Sequence, residues 1–384
     1  MRISDRVENT PPSGIRRFFQ IVEEKENVIS LSVGEPDFSA PWAAREAGVD
    51  SLERGRTSYT TNRGRRDLRE AIAEHVRRYD LAYDPETEIL VTTGVSEGMD
   101  IAMRTFLNPG DAVAIPQPTY ISYPATARFA GGEVLPVRTD HDDFRLSYDA
   151  LTRAGAADAE VLVYCYPNNP TGAIMPEADL REVAAFVREH DLTVLADEIY
   201  AALTYDGEHT SIATLPGMRE RTVVFNGFSK AYAMTGLRLG YAMSTPEAIE
   251  AMNRVHQYVM LSSPTTAQYA ATEALRACDD RVAEMRSAYN RRRRFVRSRF
   301  EEMGLPCAGA GGAFYVFPEI PRREGERDDE AFAEALLEST NVAVVPGSAF
   351  GVGGAGHLRV CYAYAMDDLR EAMDRIEAFV QEEW

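Results

Sequence analysis

Short apolar runs that alternate with helical patterns are the feature that most constrains the fold of this chain. Both faces of each run are apolar, and segments between them, such as residues 96–106, follow a helical pattern. Strands that are buried on both faces belong to sheets covered by helices, so the alternation predicts an α/β fold with a mostly parallel sheet. Seven runs are predicted to form this sheet: residues 88–92, 112–116, 134–137, 161–165, 193–196, 222–225 and 239–243.

The pattern changes in the last third of the chain. Residues 247 to about 302 read as long and helical, and they include the arginine run 291–294 near their end. Beyond this stretch, strand-like pieces with helices before and after them are predicted at residues 313–317, 342–345 and 358–361. Such a mixture is typical of an α+β unit and differs from the parallel sheet before it.

The length of the chain also favours two domains, since 384 residues are too many for one simple core. We expect a large domain at residues 36–280. The smaller α+β domain is expected to combine residues 1–35 with residues 281–384.

Charge and hydropathy exclude several classes of partner. The net charge is −19, with acidic residues spread along the chain, and such a surface repels nucleic acid and anionic membranes. No run of 18 apolar residues occurs, and the first residues are not followed by an apolar stretch, so we expect neither a membrane span nor a signal peptide. The sequence therefore predicts a cytoplasmic protein without nucleic-acid or membrane partners, and its acidity suggests a salt-adapted (halophilic) host.

The four cysteines point to reduced, buried thiols. Cys165, Cys278, Cys307 and Cys361 lie far apart, form no Cys-x-x-Cys motif and are not spaced with histidines as metal ligands. We therefore expect no metal site.

Lysine is almost absent from this chain, and one of the two that occur is a candidate nucleophile. Lys25 and Lys230 stand against 39 arginines, since lysine and arginine together number 41. A guanidinium stays charged at any working pH, whereas a desolvated ammonium can become a free amine that attacks a carbonyl. Lys230 lies in the segment 226–232 and fits that role, although codon bias with a chance survivor stays an alternative. Lys25 lies among Glu23, Glu24 and Glu26 and is predicted on a solvated charged face.

Ligands of open parallel sheets bind at the carboxyl ends of the strands, so the residues that follow each predicted strand were compared. The first predicted strand is followed by a glycine turn, residues 93–98, that opens a helix whose N–H groups can bind phosphate. The strand at 161–165 is followed by a loop in which two prolines and a glycine fix Asn169, which could donate to a phenolate oxygen. Taken alone, the glycine turn is more often an ordinary capped turn between a strand and a helix. The loop could also be a plain loop, but its Asn-Pro-Thr-Gly, residues 169–172, is a fairly specific string.

Two further strand ends carry charged side chains. Asp197 and Tyr200 follow the strand at 193–196, and a carboxylate there could keep a pyridine nitrogen protonated, although a helix cap is the commoner use of such an aspartate. Ser229, Lys230 and Arg238 follow the strand at 222–225; the hydroxyl and guanidinium suit a phosphate, and the amine suits an aldehyde. An aldehyde, a pyridine nitrogen, a phenolate oxygen and a phosphate together describe pyridoxal 5′-phosphate.

These motifs make the chain resemble fold-type-I pyridoxal-phosphate-dependent aminotransferases of class I/II, the group that includes aspartate and aromatic amino acid aminotransferases. It is particularly similar to archaeal and bacterial members that carry Ser-Val-Gly-Glu-Pro-Asp-Phe, here residues 32–38. The similarity extends from residues 13–16 to the last helix. The most specific stretches are residues 166–172, 196–200, 226–241, 312–317 and 345–350.

The resemblance implies catalytic and ring-binding roles for five residues. Lys230 would form the Schiff base with the cofactor, and Asp197 would pair with the ring nitrogen. Asn169 and Tyr200 would bind the phenolic oxygen of the ring. Tyr120 would stack on the face of the ring.

The phosphate and the substrate complete the implied site. The amides of Val95 and Ser96, with the side chains of Ser229 and Arg238, would hold the phosphate. Tyr59 would reach the phosphate of the neighbouring subunit, which implies a homodimer with shared active sites.

On the substrate side, Gly34 would contribute its backbone, with Asn169 beside it, and Arg359 would bind the α-carboxylate. Ser96 stands where some aspartate-preferring members carry a lysine, which argues against strict aspartate specificity. Tyr59, Tyr120 and Phe314 could provide aromatic lining.

The implied activity is transfer of the amino group of an L-amino acid (aspartate, aromatic or similar) to a 2-oxo acid, with 2-oxoglutarate as acceptor. Two alternatives stay open from sequence. A lyase or decarboxylase would keep the cofactor site and change the substrate side. A non-catalytic cofactor-sensing regulator built on this fold would carry an added DNA-binding domain, and this sequence shows neither the extra N-terminal length nor a basic patch.

Overall fold

The computed structural model describes residues 1–12, 25, 27–321, 328–382 and 384. Its central element is a seven-stranded sheet, as the sequence predicts. The seven strands are β2 (Ile89–Thr92), β3 (Ala112–Gln117), β4 (Glu133–Arg138), β5 (Val161–Cys165), β6 (Thr193–Asp197), β7 (Thr222–Gly227) and β8 (Gly240–Met243).

The sheet is mixed, but only β8 runs against the other strands. The spatial order is β2-β8-β7-β6-β5-β3-β4, and β8 pairs antiparallel with both of its neighbours. The strands β3 to β7 pair in parallel, with Cys165 opposite Asp197 and Asp197 opposite Phe225. The carboxyl ends of the six strands β2 to β7 therefore share one edge of the sheet with the amino end of β8.

Helices cover both faces of the sheet, which explains its continuous apolar runs. All five residues of β5 are buried. The described α-helices are Asp5–Glu8, Trp42–Glu53, Arg66–His75, Gly94–Phe106, Ser122–Ala130, Tyr148–Ala154, Glu177–Glu189, Pro246–Val259, Thr265–Ala277, Asp279–Glu302, Asp329–Thr340 and Met366–Glu382. Short 3₁₀ turns lie at Val76–Tyr79, Ala156–Asp158, Ala201–Leu203, Ile212–Thr214, Arg219–Arg221, Thr235–Leu237 and Gly347–Phe350.

The long helical stretch predicted from residue 247 is three helices. The first ends at Val259, and the second begins after Pro264, which lacks the N–H that a continuous helix needs. Leu261 between them has a φ of +66°, which also ends a helix. The third helix starts directly after Cys278.

The predicted strand-like piece at 358–361 is confirmed, whereas the pieces at 313–317 and 342–345 form shorter strands than expected. Together they contribute to two small sheets. The piece at 342–345 is split into β10 (Val342–Ala343) and β11 (Val345–Pro346). β10 pairs in parallel with β1 (Ile29–Ser30), whereas β11, β12 (Leu358–Cys361) and β9 (Tyr315–Val316) form a three-stranded antiparallel sheet.

The split follows from pairing partners that are distant in the sequence, which no local pattern reports. The proposed division into residues 36–280, with 1–35 and 281–384 as the second domain, stays a prediction.

Several other expectations concern the N-terminal part. Residues 13–16 and the glutamates Glu23, Glu24 and Glu26 lie outside the described residues. Lys25 is half-buried rather than fully solvated, and its Nζ lies 3.5 Å from the carbonyl oxygen of Leu337. In the described part of the chain, none of the helices has the length and hydropathy that crossing a membrane requires.

Candidate active site

A cavity of about 410 Å³ lies at this shared edge of the sheet, beside the carboxyl ends of β2, β3, β5, β6 and β7. Parallel strands deliver their following residues to this edge, so side chains far apart in the sequence meet there. Eleven of the twelve site residues predicted from sequence line the cavity: Gly34, Val95, Ser96, Tyr120, Asn169, Asp197, Tyr200, Ser229, Lys230, Arg238 and Arg359.

Lys230 lies just past the end of β7, with its amine inside the cavity. The Nζ donates a hydrogen bond of 2.7 Å to the carbonyl oxygen of Gly34. Burial lowers the pKa of this lysine to about 8, mainly because a desolvated ammonium is disfavoured. Near neutral pH a useful fraction of the amine can therefore be uncharged and nucleophilic. A side chain at residue 34 would overlap the hydroxyl of Tyr315, so only glycine allows this close approach.

Asp197 is the last residue of β6 and is buried beneath the cavity. Its Oδ2 accepts a hydrogen bond of 2.7 Å from the Tyr123 hydroxyl, and its Oδ1 accepts from the Ile199 N–H at 3.1 Å. Burial raises the pKa of this carboxyl to about 6, although both hydrogen bonds and the nearby Lys230 lower it in part. The group is therefore poised to gain or lose its charge according to what binds beside it.

The turn after β2 opens the helix Gly94–Phe106 against Arg238. The N–H groups of the first turn have no acceptor within a helix and point outward with the positive end of the helix dipole. Gly94 has a φ of +76°, and a Cβ there would lie 2.7 Å from an Arg238 nitrogen. Arg238 itself has a left-handed backbone and donates through Nη1 to the Thr235 carbonyl oxygen at 3.0 Å. The first-turn amides and the Arg238 guanidinium thus lie together at the cavity, and both kinds of group bind phosphate.

Arg359 on β12 enters the cavity from the three-stranded sheet. It is buried, and its Nη1 donates to Asn169 Oδ1 at 3.1 Å while its Nη2 donates to the Ser32 carbonyl oxygen. The rings of Tyr315 and Phe350 each lie 4.8 Å from its guanidinium carbon. Its buried Nε has no hydrogen-bond partner among the described residues. A buried guanidinium that still has N–H groups free to donate is suited to bind a carboxylate.

The same contact orients Asn169. Because its amide oxygen accepts from Arg359, its amide nitrogen is left as the donor toward the cavity that it lines. This agrees with the expected role of Asn169 as a donor to a phenolate oxygen.

Tyr200 is buried and its hydroxyl lies 3.0 Å from that of Tyr315. Phe314 does not line the cavity, contrary to the expectation that it could. Its ring is fully buried and packs edge-on against Tyr200, with ring centroids 5.3 Å apart. Tyr315, the next residue and the first of β9, takes the lining position.

Tyr120 and Tyr59 differ in position. Tyr120 lines the cavity and packs edge-on against Tyr123 at 5.6 Å between ring centroids. Tyr59 does not line it, and its side chain is 81 % exposed. An exposed tyrosine on the surface of one chain is compatible with a role in a neighbouring subunit.

Sequence reasoning missed Tyr123, Tyr315, Thr235 and Glu35. Tyr123 is the hydrogen-bond partner of Asp197, and Thr235 donates to Glu35 at the cavity wall. Neither Tyr123 nor Thr235 directly follows a strand end, so the strand-end rule could not find them. Tyr315 lies within a stretch that the resemblance singled out, but only the structure distinguishes it from Phe314.

The residues present fit pyridoxal phosphate. An amine with a lowered pKa suits its aldehyde, a buried carboxylate suits its ring nitrogen, and the open amides beside Arg238 suit its phosphate. The amide donor of Asn169 and the phenol of Tyr200 suit its phenolic oxygen. Each group of the ligand has a complementary partner in the cavity.

Comparison with known proteins gives concordant results. The family model described as "Aminotransferase class I and II" matches residues 26–376. The chain is 42 % identical over 389 residues to aromatic-amino-acid aminotransferase 2 of Thermococcus litoralis and to an aspartate aminotransferase of Pyrococcus abyssi, covering 100 % of this chain and 99 % of each relative. The crystal structure of an aromatic aminotransferase from Pyrococcus horikoshii superposes with a TM-score of 0.90 at 42 % identity, covering 96 % of this chain and 99 % of that one.

Proposed function

Since this chain belongs to the class I and II aminotransferases, which depend on pyridoxal phosphate, we propose that it prefers aromatic amino acids as donors over aspartate and uses 2-oxoglutarate as acceptor. The relatives at equal identity are named for different donors, so the site must decide between them. The observation that carries the proposal is the set of cations in the cavity, which comprises Lys230, Arg238 and Arg359 among the described lining residues.

Each of these three cations already has a partner in the reaction. Lys230 serves the aldehyde, Arg238 the phosphate and Arg359 the α-carboxylate. No cation of the described lining is then left for the side-chain carboxylate of aspartate, and Ser96 stands where a lysine could have served. The side chains of Ile121, Val33 and Tyr120 instead offer apolar and aromatic surface.

The acceptor 2-oxoglutarate carries a second carboxylate, which the same cavity must accept. Hydroxyl groups can donate hydrogen bonds to a carboxylate without a fixed charge. Ser122 lines the cavity and offers such a group, whereas the hydroxyl of Thr235, also in the lining, already donates to Glu35. A site that binds a carboxylate through neutral donors can also bind an aromatic ring. A site with a buried lysine would bind that ring less favourably, because the ring would leave the lysine charge buried without a partner.

When bound, pyridoxal phosphate supplies an aldehyde that reacts with amines and a ring that accepts the electron pair from the substrate α-carbon. The chain supplies binding, orientation and proton transfer. Arg359 holds the α-carboxylate with two parallel hydrogen bonds and so fixes the direction of the α-C–H bond. The Nζ of Lys230 acts as general base and takes the α-proton, which its lowered pKa allows near neutral pH.

Asp197 and Tyr200 complete the catalytic set. The Asp197 carboxylate, fixed by Tyr123 and the Ile199 N–H, keeps a proton on the ring nitrogen by charge pairing. Tyr200 and Asn169 donate to the phenolic oxygen. Because Tyr123 and the Ile199 N–H already hold Asp197 in place, the carboxylate need not reorient when charge develops on the ring during the reaction.

The test is a panel of half-reactions with the purified holoenzyme and no acceptor. We expect kcat/KM for phenylalanine and tyrosine to exceed that for aspartate by about tenfold or more, because a carboxylate without a cation stays poorly compensated in the cavity. The measurement is the loss of absorbance of the bound cofactor at increasing donor concentration. An aspartate value above both aromatic values would contradict the proposal. Sustained oxo-acid release without an acceptor would favour the lyase alternative instead.

The proposed enzyme is a cytoplasmic homodimer adapted to salt. The exposure of Tyr59 supports its proposed role toward the phosphate of a neighbouring subunit. The four cysteines are free and buried, as expected in a reducing compartment. A net charge of −19 causes less self-repulsion when salt screens it. Light scattering in molar KCl should give twice the 42.6 kDa chain mass, with loss of the dimer or of folding at low salt. A monomer at every salt concentration would contradict the shared site.

A further inference from the structure

We propose that Glu97 and His256 form a buried pair that holds the phosphate-binding turn in its binding conformation; this rests on the assignment of that turn to the cofactor phosphate. Glu97 follows Ser96 on the helix Gly94–Phe106. Glu97 lies in the turn 93–98 that follows the first predicted strand, but the sequence assigned it no role. His256 does not follow a predicted strand, and neither residue lines the cavity.

The Glu97 carboxylate uses both of its oxygens. Its Oε1 lies 2.7 Å from Nδ1 of His256, and its Oε2 accepts from the N–H of Thr93. Because a carboxylate only accepts, the Nδ1 must carry the proton of the first bond. The His256 side chain is fully buried, and that of Glu97 is 12 % exposed. Buried hydrogen bonds to a charged group are among the stronger ones in proteins.

The bond to Thr93 fixes the start of the helix Gly94–Phe106. Thr93 is the N-cap residue of the helix, yet its own side chain makes no capping hydrogen bond. Glu97 reaches back one turn to the N–H of Thr93, much as the acidic residue of a capping box does, but it stands four residues after the N-cap residue instead of three. The amides of Val95 and Ser96 lie in the first turn, where no intrahelical acceptor exists, and are left for the phosphate.

The other end of the pair is anchored in a separate helix. His256 lies in Pro246–Val259, and its carbonyl oxygen accepts from the N–H groups of Met260 and Leu261 at 2.8 and 3.1 Å. The Nε2 of His256 is buried without a hydrogen-bond partner in the described part of the chain. The ring is therefore held by its single hydrogen bond to Glu97 and by packing. Loss of that bond would release the turn from the helix Pro246–Val259. It would also leave the imidazole buried without a hydrogen-bond partner among the described residues.

The two residues are thus positioning residues, and their effect is specific to the phosphate. The pair touches the turn that receives the phosphate and does not line the space that receives the ring. Loss of the pair should therefore leave the affinity for a ligand without a phosphate unchanged. This separates the proposal from a general contribution to folding.

The experiment measures equilibrium binding of pyridoxal 5′-phosphate and of pyridoxal to the full-length apoenzyme by absorbance. Glu97→Ala should weaken binding of the phosphorylated ligand about 30-fold and His256→Ala about 10-fold, in line with the loss of hydrogen bonds to a buried charge. The double variant should bind no worse than Glu97→Ala within about twofold, because the pair acts as a unit. Pyridoxal binding should change by less than about twofold in each variant.

Two variants serve as controls. Glu97→Gln keeps the length and an acceptor oxygen and should restore affinity to within about threefold of wild type. Arg104→Ala removes an exposed ion pair with Asp100 on the same helix and should change nothing. If an alanine variant fails to fold, Glu97→Asp, which keeps the charge but shortens the reach, carries the test with the same expected direction.

Unchanged binding of the phosphorylated ligand, equal weakening for pyridoxal, or effects that multiply independently in the double variant would each overturn the proposal. A wild-type chain that binds pyridoxal but gains nothing from the phosphate would refute the phosphate site itself. The two failures are therefore distinguishable.

Discussion

Replacing Lys230 by alanine is expected to lower the single-turnover rate of amino transfer by on the order of a hundred-thousandfold, because one side chain supplies both the nucleophile and the general base. Burial lowers the pKa of this amine to about 8, which makes it reactive at neutral pH. Its hydrogen bond to the Gly34 carbonyl oxygen holds it at the cavity wall. In the described cavity lining, the other two cations are guanidinium groups, which do not lose a proton.

The chain offers unusually clean controls for this variant. Lys230→Arg keeps the charge but cannot release a proton, so it should be as inactive as the alanine variant. Lys25→Ala changes the one remaining lysine, which contacts the Leu337 carbonyl oxygen far along the chain, and should leave activity unchanged. The measurement is the decay of bound-cofactor absorbance after one addition of donor. A Lys230→Ala rate within tenfold of wild type would remove Lys230 from the chemistry.

The parts of the site that could be predicted are those that depend on one strand end each. Asp197, Asn169 and Lys230 follow three apolar runs that are buried on both faces, and such runs are readable without tertiary information. A parallel sheet then brings them together whatever the details of packing, because the carboxyl ends share an edge. The strand-end rule succeeded where topology alone determines position.

The parts that could not be predicted depend on how separate units pack. Tyr315 reaches Tyr200 only because a strand 115 residues later in the sequence meets the sheet edge. Arg292 and Arg293 lie in a run that reads as one charged patch, yet they bind different segments. Arg292 donates two hydrogen bonds to Asp37, and Arg293 donates two to Asp206. A helix directs successive side chains about 100° apart, and the sequence does not state what lies in each direction.

Replacing Asp197 by asparagine is expected to lower kcat/KM by on the order of a thousandfold, or about 4 kcal/mol of transition-state stabilisation. Asparagine keeps the shape and can still accept from Tyr123, but it carries no charge to hold a proton on the ring nitrogen. Cofactor should still bind through the phosphate turn, so the variant should be coloured but slow. Tyr123→Phe is the matched control, since it removes one hydrogen bond and keeps the charge, and it should cost about tenfold or less.

The pH dependence of cofactor binding tests the same carboxylate independently of turnover. Burial raises the Asp197 pKa to about 6, so below that pH the protein without cofactor holds a proton on this carboxyl. A positively charged ring nitrogen must displace that proton to bind. Affinity for the cofactor should therefore fall as pH decreases below about 6, by up to about tenfold per pH unit for one proton. The phosphate of the cofactor titrates in the same range, but its contribution is present in both proteins. The difference between wild type and Asp197→Asn isolates the carboxylate. Identical pH profiles for the two proteins would show that Asp197 does not pair with the ring nitrogen.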